Sequence, residues 1–378
     1  MSGERAPPNG RLAVQPVTLE DYRALARESV PLDIFDYVDG GAGDEVTVRA
    51  NRRDFDELLL LPLCLRDVSS PALAVTLFGQ EMQFPVGYSP TALHQLVHVD
   101  GEFATARAAA ALRIPMIVSV MSSIPLEEVV TRSDNNTLWL QLYFFKDREL
   151  TKHLVRRAEQ VGCKAIVISL GCPVPGRRDR NLRNEFRLPQ TVSAANFRRT
   201  ERTDFNSPIH SLEGAELDSS ATWQDLLWLC DFTVLPVVVK GLMNPRDVEP
   251  TLKCGASAIM VSNHGGRQLD TTASTIRVLP EFSAAIAGRI PLFVDSGFRR
   301  GTDVLKAIIL GADCVFLGRP VMWALAAAGE QGVSAMTTLL HNELHVAMQL
   351  TGCASIAELR AQGQSLLRQS RPSSVHDD

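Results

Sequence analysis

Eight short, almost unbroken apolar runs recur through the middle of the chain, at residues 84–89, 115–120, 138–143, 165–170, 235–240, 257–262, 291–295 and 313–317. They lack the apolar–polar alternation of a sheet with one wet face, so each reads as a parallel strand covered on both sides. Helix-like stretches separate them, among them 102–112, 148–161, 247–254, 275–287 and 302–310. Parallel neighbours require crossover connections, and a helix is the usual crossover. Eight strand–helix units in series predict an α/β fold of the (β/α)8 TIM-barrel type; an open, doubly wound sheet is the alternative built from the same units.

The flanks differ. A helical pattern extends from Thr18 to about Phe55, with Thr18, Glu20 and Asp21 at its capped start. Residues 1–16 and 371–378 read as disordered tails, which leaves 17–370 as a single domain. One connection is out of step: about seventy residues separate the ends of the fourth and fifth runs, against about 22–35 elsewhere. The polar stretch 189–221 inside it is expected to be a mobile lid over the catalytic face.

Composition excludes several function classes. Apolar residues make up 45% and charged residues 21% of the chain, ordinary values that rule out wholesale disorder and fibrous folds. The 38 Lys and Arg against 43 Asp and Glu leave a net charge of −5, so nothing favours a nucleic acid or a membrane surface as partner. No apolar run approaches the ~18 residues of a membrane span, and the first ten residues lack a signal core, so a cytoplasmic location is expected. The 7 cysteines are scattered without a CxxC pair, which argues against a disulfide framework and against a metal site.

In a barrel the active site lies at the C-terminal ends of the strands. Those ends read Ser89-Pro90-Thr91-Ala92, Ser119, Gln141 with Tyr143, Ser169, Lys240, Ser262-Asn263-His264, Asp295 with Gly297, and Gly318-Arg319. A lone serine there is an ordinary loop residue; nearly every strand ending in a hydrogen-bonding or charged group is a pattern. The glycines and arginines after the last two strands, Gly297, Arg299, Gly318 and Arg319, suit a phosphate. Lys240 ends an apolar strand and needs an electron-rich partner, either the N1 and C2 carbonyl region of a flavin or a carbonyl substrate taken as a Schiff base. In Ser262-Asn263-His264-Gly265-Gly266-Arg267, an imidazole that titrates near neutrality precedes a guanidinium able to grip a carboxylate.

On these motifs the chain resembles the FMN-dependent 2-hydroxy-acid oxidases and dehydrogenases, from about residue 18 to 365. The Ser-Asn-His-Gly-Gly-Arg-Gln run carries the resemblance, supported by Asp36-Tyr37 with Gly-Gly-Ala-Gly-Asp-Glu, Ala50-Asn51-Arg52, Gln141-Leu-Tyr143, Lys240-Gly241, Arg299-Arg300-Gly301-Thr302-Asp303 and Gly318-Arg319-Pro320. The resemblance implies a barrel with extra N- and C-terminal helices, a homotetramer, FMN as cofactor, a 2-hydroxy acid as substrate and dioxygen as the expected acceptor, towards which Ala92 leans. It implies that Ser89, Pro90, Thr91, Ala92, Ser119, Gln141, Ser169, Lys240, Ser262, Asp295, Gly297, Arg299, Gly318 and Arg319 hold FMN. Tyr37, Tyr143, Arg178, Arg267 and Met121 would face the substrate, and His264 would be the base.

The sequence departs from the family where the fourth strand ends. Ser169-Leu170-Gly171-Cys172-Pro173 stands in place of Thr-Val-Asp-Thr-Pro, so the carboxylate that supports the catalytic histidine in the family is missing. One reading is a slower oxidase that recruits another carboxylate, such as Asp179. Another is a flavin enzyme turned to oxidative decarboxylation, monooxygenation or a tailoring reaction, and a third is a silent flavin barrel used for binding. Ser296 replaces a usual glycine. Met121, flexible and apolar, suits a bulky or aryl substrate of the mandelate type, and Gly171 beside it is expected to open further space there.

Overall fold

The computed structural model describes residues 15–134, 137–197 and 216–370. The eight apolar runs form eight strands: β1 (Val86–Tyr88), β2 (Met116–Ser119), β3 (Leu138–Leu142), β4 (Ile166–Ser169), β5 (Val237–Leu242), β6 (Ala258–Val261), β7 (Leu292–Asp295) and β8 (Cys314–Leu317). They close into one barrel, each strand parallel to its neighbours, with β8 beside β1 and β6 beside β7. Closure leaves no sheet edge, which disposes of the doubly wound alternative.

Large side chains fill the interior. Ile117, Trp139, Val167, Val238, Met260, Phe293 and Phe316 point inward and are buried, joined by Leu77 and Met82. Those last two come from a hairpin, Val75–Leu77 with Gln80–Met82, which also brings Phe78 to within 5.3 Å of the Trp139 ring. The hairpin plugs the N-terminal end, so the barrel offers a ligand its C-terminal mouth.

The helical stretch at the N-terminus divides into three helices: α1 (Leu19–Ser29), α2 (Leu32–Asp39) and α3 (Val46–Asp56). Thr18 caps the first through a reciprocal bond pair with Asp21, as its position suggests. Pro31, which has no N–H to donate, and the Gly40-Gly41 pair make the breaks. At the other end the helical stretch Arg319–Thr351, kinked at Ala328 and Gly329 where the backbone leaves helical angles, packs along α1. Strand Leu58–Leu60 pairs antiparallel with Leu367–Gln369 and ties the two extensions together. No helix among the described residues is long and apolar enough to cross a membrane.

The expected tails and lid fall largely outside the described residues: 1–14, 198–215 and 371–378. The flanks of the lid segment are anchored. Asn196 donates to Val120 O (3.0 Å) and accepts from Leu126 N (2.9 Å), and Asp218 N donates to Phe144 O at 2.8 Å.

Candidate active site

Register places the polar strand ends side by side: Ser119 is opposite Gln141, and Ser169 opposite Lys240. Buried polar groups need partners, and these find one another. Ser119 Oγ donates to Gln141 Oε1 (3.2 Å), and Gln141 Nε2 donates to Ser169 Oγ (3.1 Å). Lys240 Nζ donates to Ser262 Oγ (2.7 Å) and lies 2.8 Å from Asp295 Oδ2, which also accepts from Ser89 Oγ (3.0 Å). Both members of that ion pair are buried. Lys240 is therefore held as a cation in a network, an arrangement that suits an electron-rich ring better than a Schiff-base amine.

Above this floor lies a cavity at the mouth of the barrel. Its wall brings together Tyr37, Ser89, Pro90, Thr91, Ala92, Ser119, Met121, Tyr143, Arg178, Lys240, His264, Arg267, Asp295, Gly297, Arg299, Gly318 and Arg319. Gln141 and Ser262 stand behind it, bonded to lining residues. Ser169 faces a neighbouring cavity that meets the first at Tyr143.

The loop after β6 turns sharply. His264, Gly265 and Gly266 have φ of +55°, +66° and +73°, a left-handed run that glycine permits and that a histidine holds only when its surroundings fix it. Asn263 fixes it from within by accepting from Gly266 N (3.1 Å). Asn51 of α3 fixes it from outside: the two asparagine amides bond reciprocally at 3.0 and 2.8 Å. Ser296, itself at φ +79°, accepts from Gly265 N (3.0 Å) and donates to Asp295 Oδ1 (2.8 Å). Asn51, within a motif to which the sequence reading assigned no role, and the Ser296 bridge were missed because both bonds join distant segments.

The partner of His264 also differs from expectation. Its Nδ1 lies 3.3 Å from Cys172 Sγ. Asp179 instead pairs with Arg177 (3.0 Å) and Arg183 (3.9 Å). Gly171 does not widen the substrate space: it is absent from the cavity wall and abuts the backbone of Gly241, where an added Cβ would stand 3.1 Å from the Gly241 carbonyl oxygen. Burial first, then the positive charges of Lys240, Arg178, Arg267 and Arg319, push the His264 imidazole well below the ordinary histidine value. Burial likewise pushes the Cys172 thiol up to about 11.

Four arginines surround the cavity. Arg267 Nη1 caps the last carbonyls of α2, those of Tyr37 (2.7 Å), Val38 (3.2 Å) and Gly40 (2.9 Å). Its guanidinium lies over the Tyr37 ring, which stacks on Phe186 with centroids 4.6 Å apart. Arg319 donates to Gly265 O (2.7 Å) and Gly40 O (2.8 Å). Arg299 lies over Trp323 and donates to Glu20 Oε1 at 3.1 Å. Desolvation is the main cause that brings both Arg299 and Arg319 down to about 10. Among the described residues, Arg178 Nε and Arg319 Nε are buried without a partner. Unpaired donors and crowded, desolvated cations call for an anion. Among the described residues no cluster could hold a metal ion.

A barrel with hydroxyl and amide groups along its strand ends, a lysine at its floor and arginines on its last two loops is built for a phosphorylated, electron-accepting ring. The chain belongs to the FMN-dependent dehydrogenase family, whose model matches residues 26–367. It is 41% identical to 2-hydroxyacid oxidase 2 of Homo sapiens over 348 residues, covering 91% of this chain and 96% of that one. It is also 41% identical to L-lactate oxidase of Nostoc sp. over 354 residues, with the same coverage. Among solved structures, mandelate oxidase superposes with a TM-score of 0.85 at 39% identity, over 94% of this chain and 99% of that one. The protein is thus an oxidoreductase that uses FMN, and the arginine-rich end of the cavity, with Arg319 Nε buried and unpartnered, suits the phosphate of that cofactor.

Proposed function

We propose that the protein oxidises an (S)-2-hydroxy acid with a bulky or aryl side chain to the 2-oxo acid, with dioxygen as the final acceptor. The observation that carries this reading is the gathering of His264, Arg178 and Arg267 on one wall of the cavity whose floor is Lys240. Bound FMN supplies a two-electron acceptor for the substrate carbon. Arg299, Arg319 and the backbone at Gly297 and Gly318 would hold its phosphate. Ser89, Pro90, Thr91, Ala92, Ser119, Gln141, Ser169, Lys240, Ser262 and Asp295 would hold the ring and ribityl chain.

The free donors of Arg178 and Arg267 bind the substrate carboxylate, with Tyr37 and Tyr143 beside it. His264, neutral at physiological pH because its surroundings disfavour a further positive charge, takes the substrate proton on Nε2 while Nδ1 faces Cys172. Met121 and Met322 give the remaining wall an adaptable apolar surface. A mandelate oxidase variant with (S)-mandelic acid, similar at TM-score 0.86, supports the aryl class, and the names of the relatives support oxidase chemistry. The resemblance also supports a homotetramer.

Anaerobic mixing with (S)-2-hydroxy acids of increasing side-chain size tests the proposal. Mandelate-type acids should bleach the flavin band fastest and yield the 2-oxo acid; bleaching by none of them, or a decarboxylated product, refutes it. His264→Ala should keep FMN and lose about 10²–10⁴ in the rate of flavin reduction.

A further inference from the structure

The hydrogen-bond partner of His264 Nδ1 is a sulfur, and the geometry around it explains why. After β4 the chain passes through Gly171, packed so tightly on Gly241 that a Cβ on Gly241 would lie 2.5 Å from the Gly171 nitrogen. This close approach of two backbones carries Cys172, 8% exposed, under the imidazole at 3.3 Å. No carboxylate takes part in that contact. The charged groups that face His264 are cations from every side: Lys240 from β5, Arg178 from the loop after β4, Arg267 from its own loop and Arg319 from the start of the long C-terminal helix. Tyr37 of α2 and Tyr143 beyond β3 line the same cavity, and Asp295 of β7 is occupied by Lys240, Ser89 and Ser296.

A neutral imidazole carries one proton, and its position decides whether the ring can act as a base. If Cys172 donates its S–H to Nδ1, the proton sits on Nε2 and the cavity meets a donor. If the sulfur accepts from Nδ1–H, Nε2 keeps its lone pair towards the cavity. A carboxylate only accepts, and so imposes the second arrangement; a thiol does either weakly.

We infer that Cys172 is the positioning residue for His264, its sulfur accepting from Nδ1–H so that Nε2 faces the substrate as a base. The inference rests on the reading of His264 given above. When Nε2 takes the substrate proton, both ring nitrogens carry hydrogen, Nδ1–H stays on the sulfur, and the thiol keeps its own proton. Nothing is oxidised at sulfur.

The test uses full-length, FMN-loaded protein and the variants Cys172→Ala, Cys172→Ser, Cys172→Asp and His264→Ala. Two readouts are followed: the ¹⁵N-histidine NMR titration of His264, assigned by its absence in His264→Ala, and the pH dependence of anaerobic flavin reduction by (S)-mandelate. Cys172→Ala should slow reduction tenfold or more and increase the fraction of ring protonated on Nε2. Cys172→Ser, with an oxygen acceptor, should recover most of the loss. Cys172→Asp should raise the His264 midpoint by one pH unit or more and move the acid limb of the rate profile with it. Equal rates and titrations in the wild type, Ala and Ser proteins would overturn the inference, and the Ala–Ser pair decides it even if the Asp variant fails to fold. Normal reduction by His264→Ala would overturn the assignment of the base itself. An inactive His264→Ala beside unaltered Cys172 variants would overturn only the role of the thiol.

Discussion

Ser296 shows how a single side chain can hold a strained loop in shape. A residue other than glycine at φ +79° is unfavourable by itself, yet here its hydroxyl joins Gly265 N to the Asp295 carboxylate. Ser296→Ala keeps the strain and leaves the Gly265 N–H unpaired, so it should destabilise the protein by about 1–3 kcal/mol in denaturant melts. Ser296→Gly loses the same bond but relaxes the backbone, and its loss should be the smaller of the two. Residues at strand ends, such as Ser119, Lys240 and Asp295, were readable from sequence because a parallel barrel dictates where strand ends go. The contact between Cys172 and His264 was not, since it depends on how the chain leaves β4 past Gly241. With no carboxylate at position 171, His264 faces a thiol, and the space expected around Gly171 is filled by the backbone of Gly241.

Among the elements, α3 does more than cover the barrel mouth. Its Asn51 forms the reciprocal amide pair with Asn263, its Arg52 bonds to Asp303 (2.7 Å) and to the Gly297 carbonyl, and Gly297 packs so closely on Asn51 that no side chain fits between them. One helix thereby braces both the histidine loop and the loop after β7. Asn51→Asp sets a carboxylate against Asn263 Oδ1, whereas Asn51→Leu merely removes partners; the Asp variant should melt lower than the Leu variant, which should itself lose about 1–3 kcal/mol. The strands and the five helical stretches named from sequence were found to within one or two residues because their periodicity is local, while Leu126–Ser133 and Trp223–Phe232 were not singled out. The N-terminal stretch was harder: its apolar pattern runs on past Pro31 and Gly40, where the chain breaks, and the Gly40 carbonyl left at the second break is taken up by Arg267 and Arg319 from distant loops.

At the scale of the whole molecule, two buried imidazoles make stability depend on pH in an unusual window. His264 and His94 are both pushed below the ordinary histidine value, burial being the first cause in each. The unfolded chain therefore binds protons below about pH 6.5 that the folded chain refuses, so stability falls as pH drops through that value towards the folded midpoints. Melting temperature should be flat from about pH 8 to 7 and decline from about 6.5 to 5, before the paired carboxylates begin to protonate; a flat profile across that second interval would contradict the burial assigned to both rings. The small seam between Leu58–Leu60 and Leu367–Gln369 has a reach beyond its size. It fastens residues 367–369 beside α3, whose Asn51 and Arg52 brace the histidine loop and the loop after β7, so a proteolytic nick on the distant rim would slacken the hold on the yellow prosthetic group.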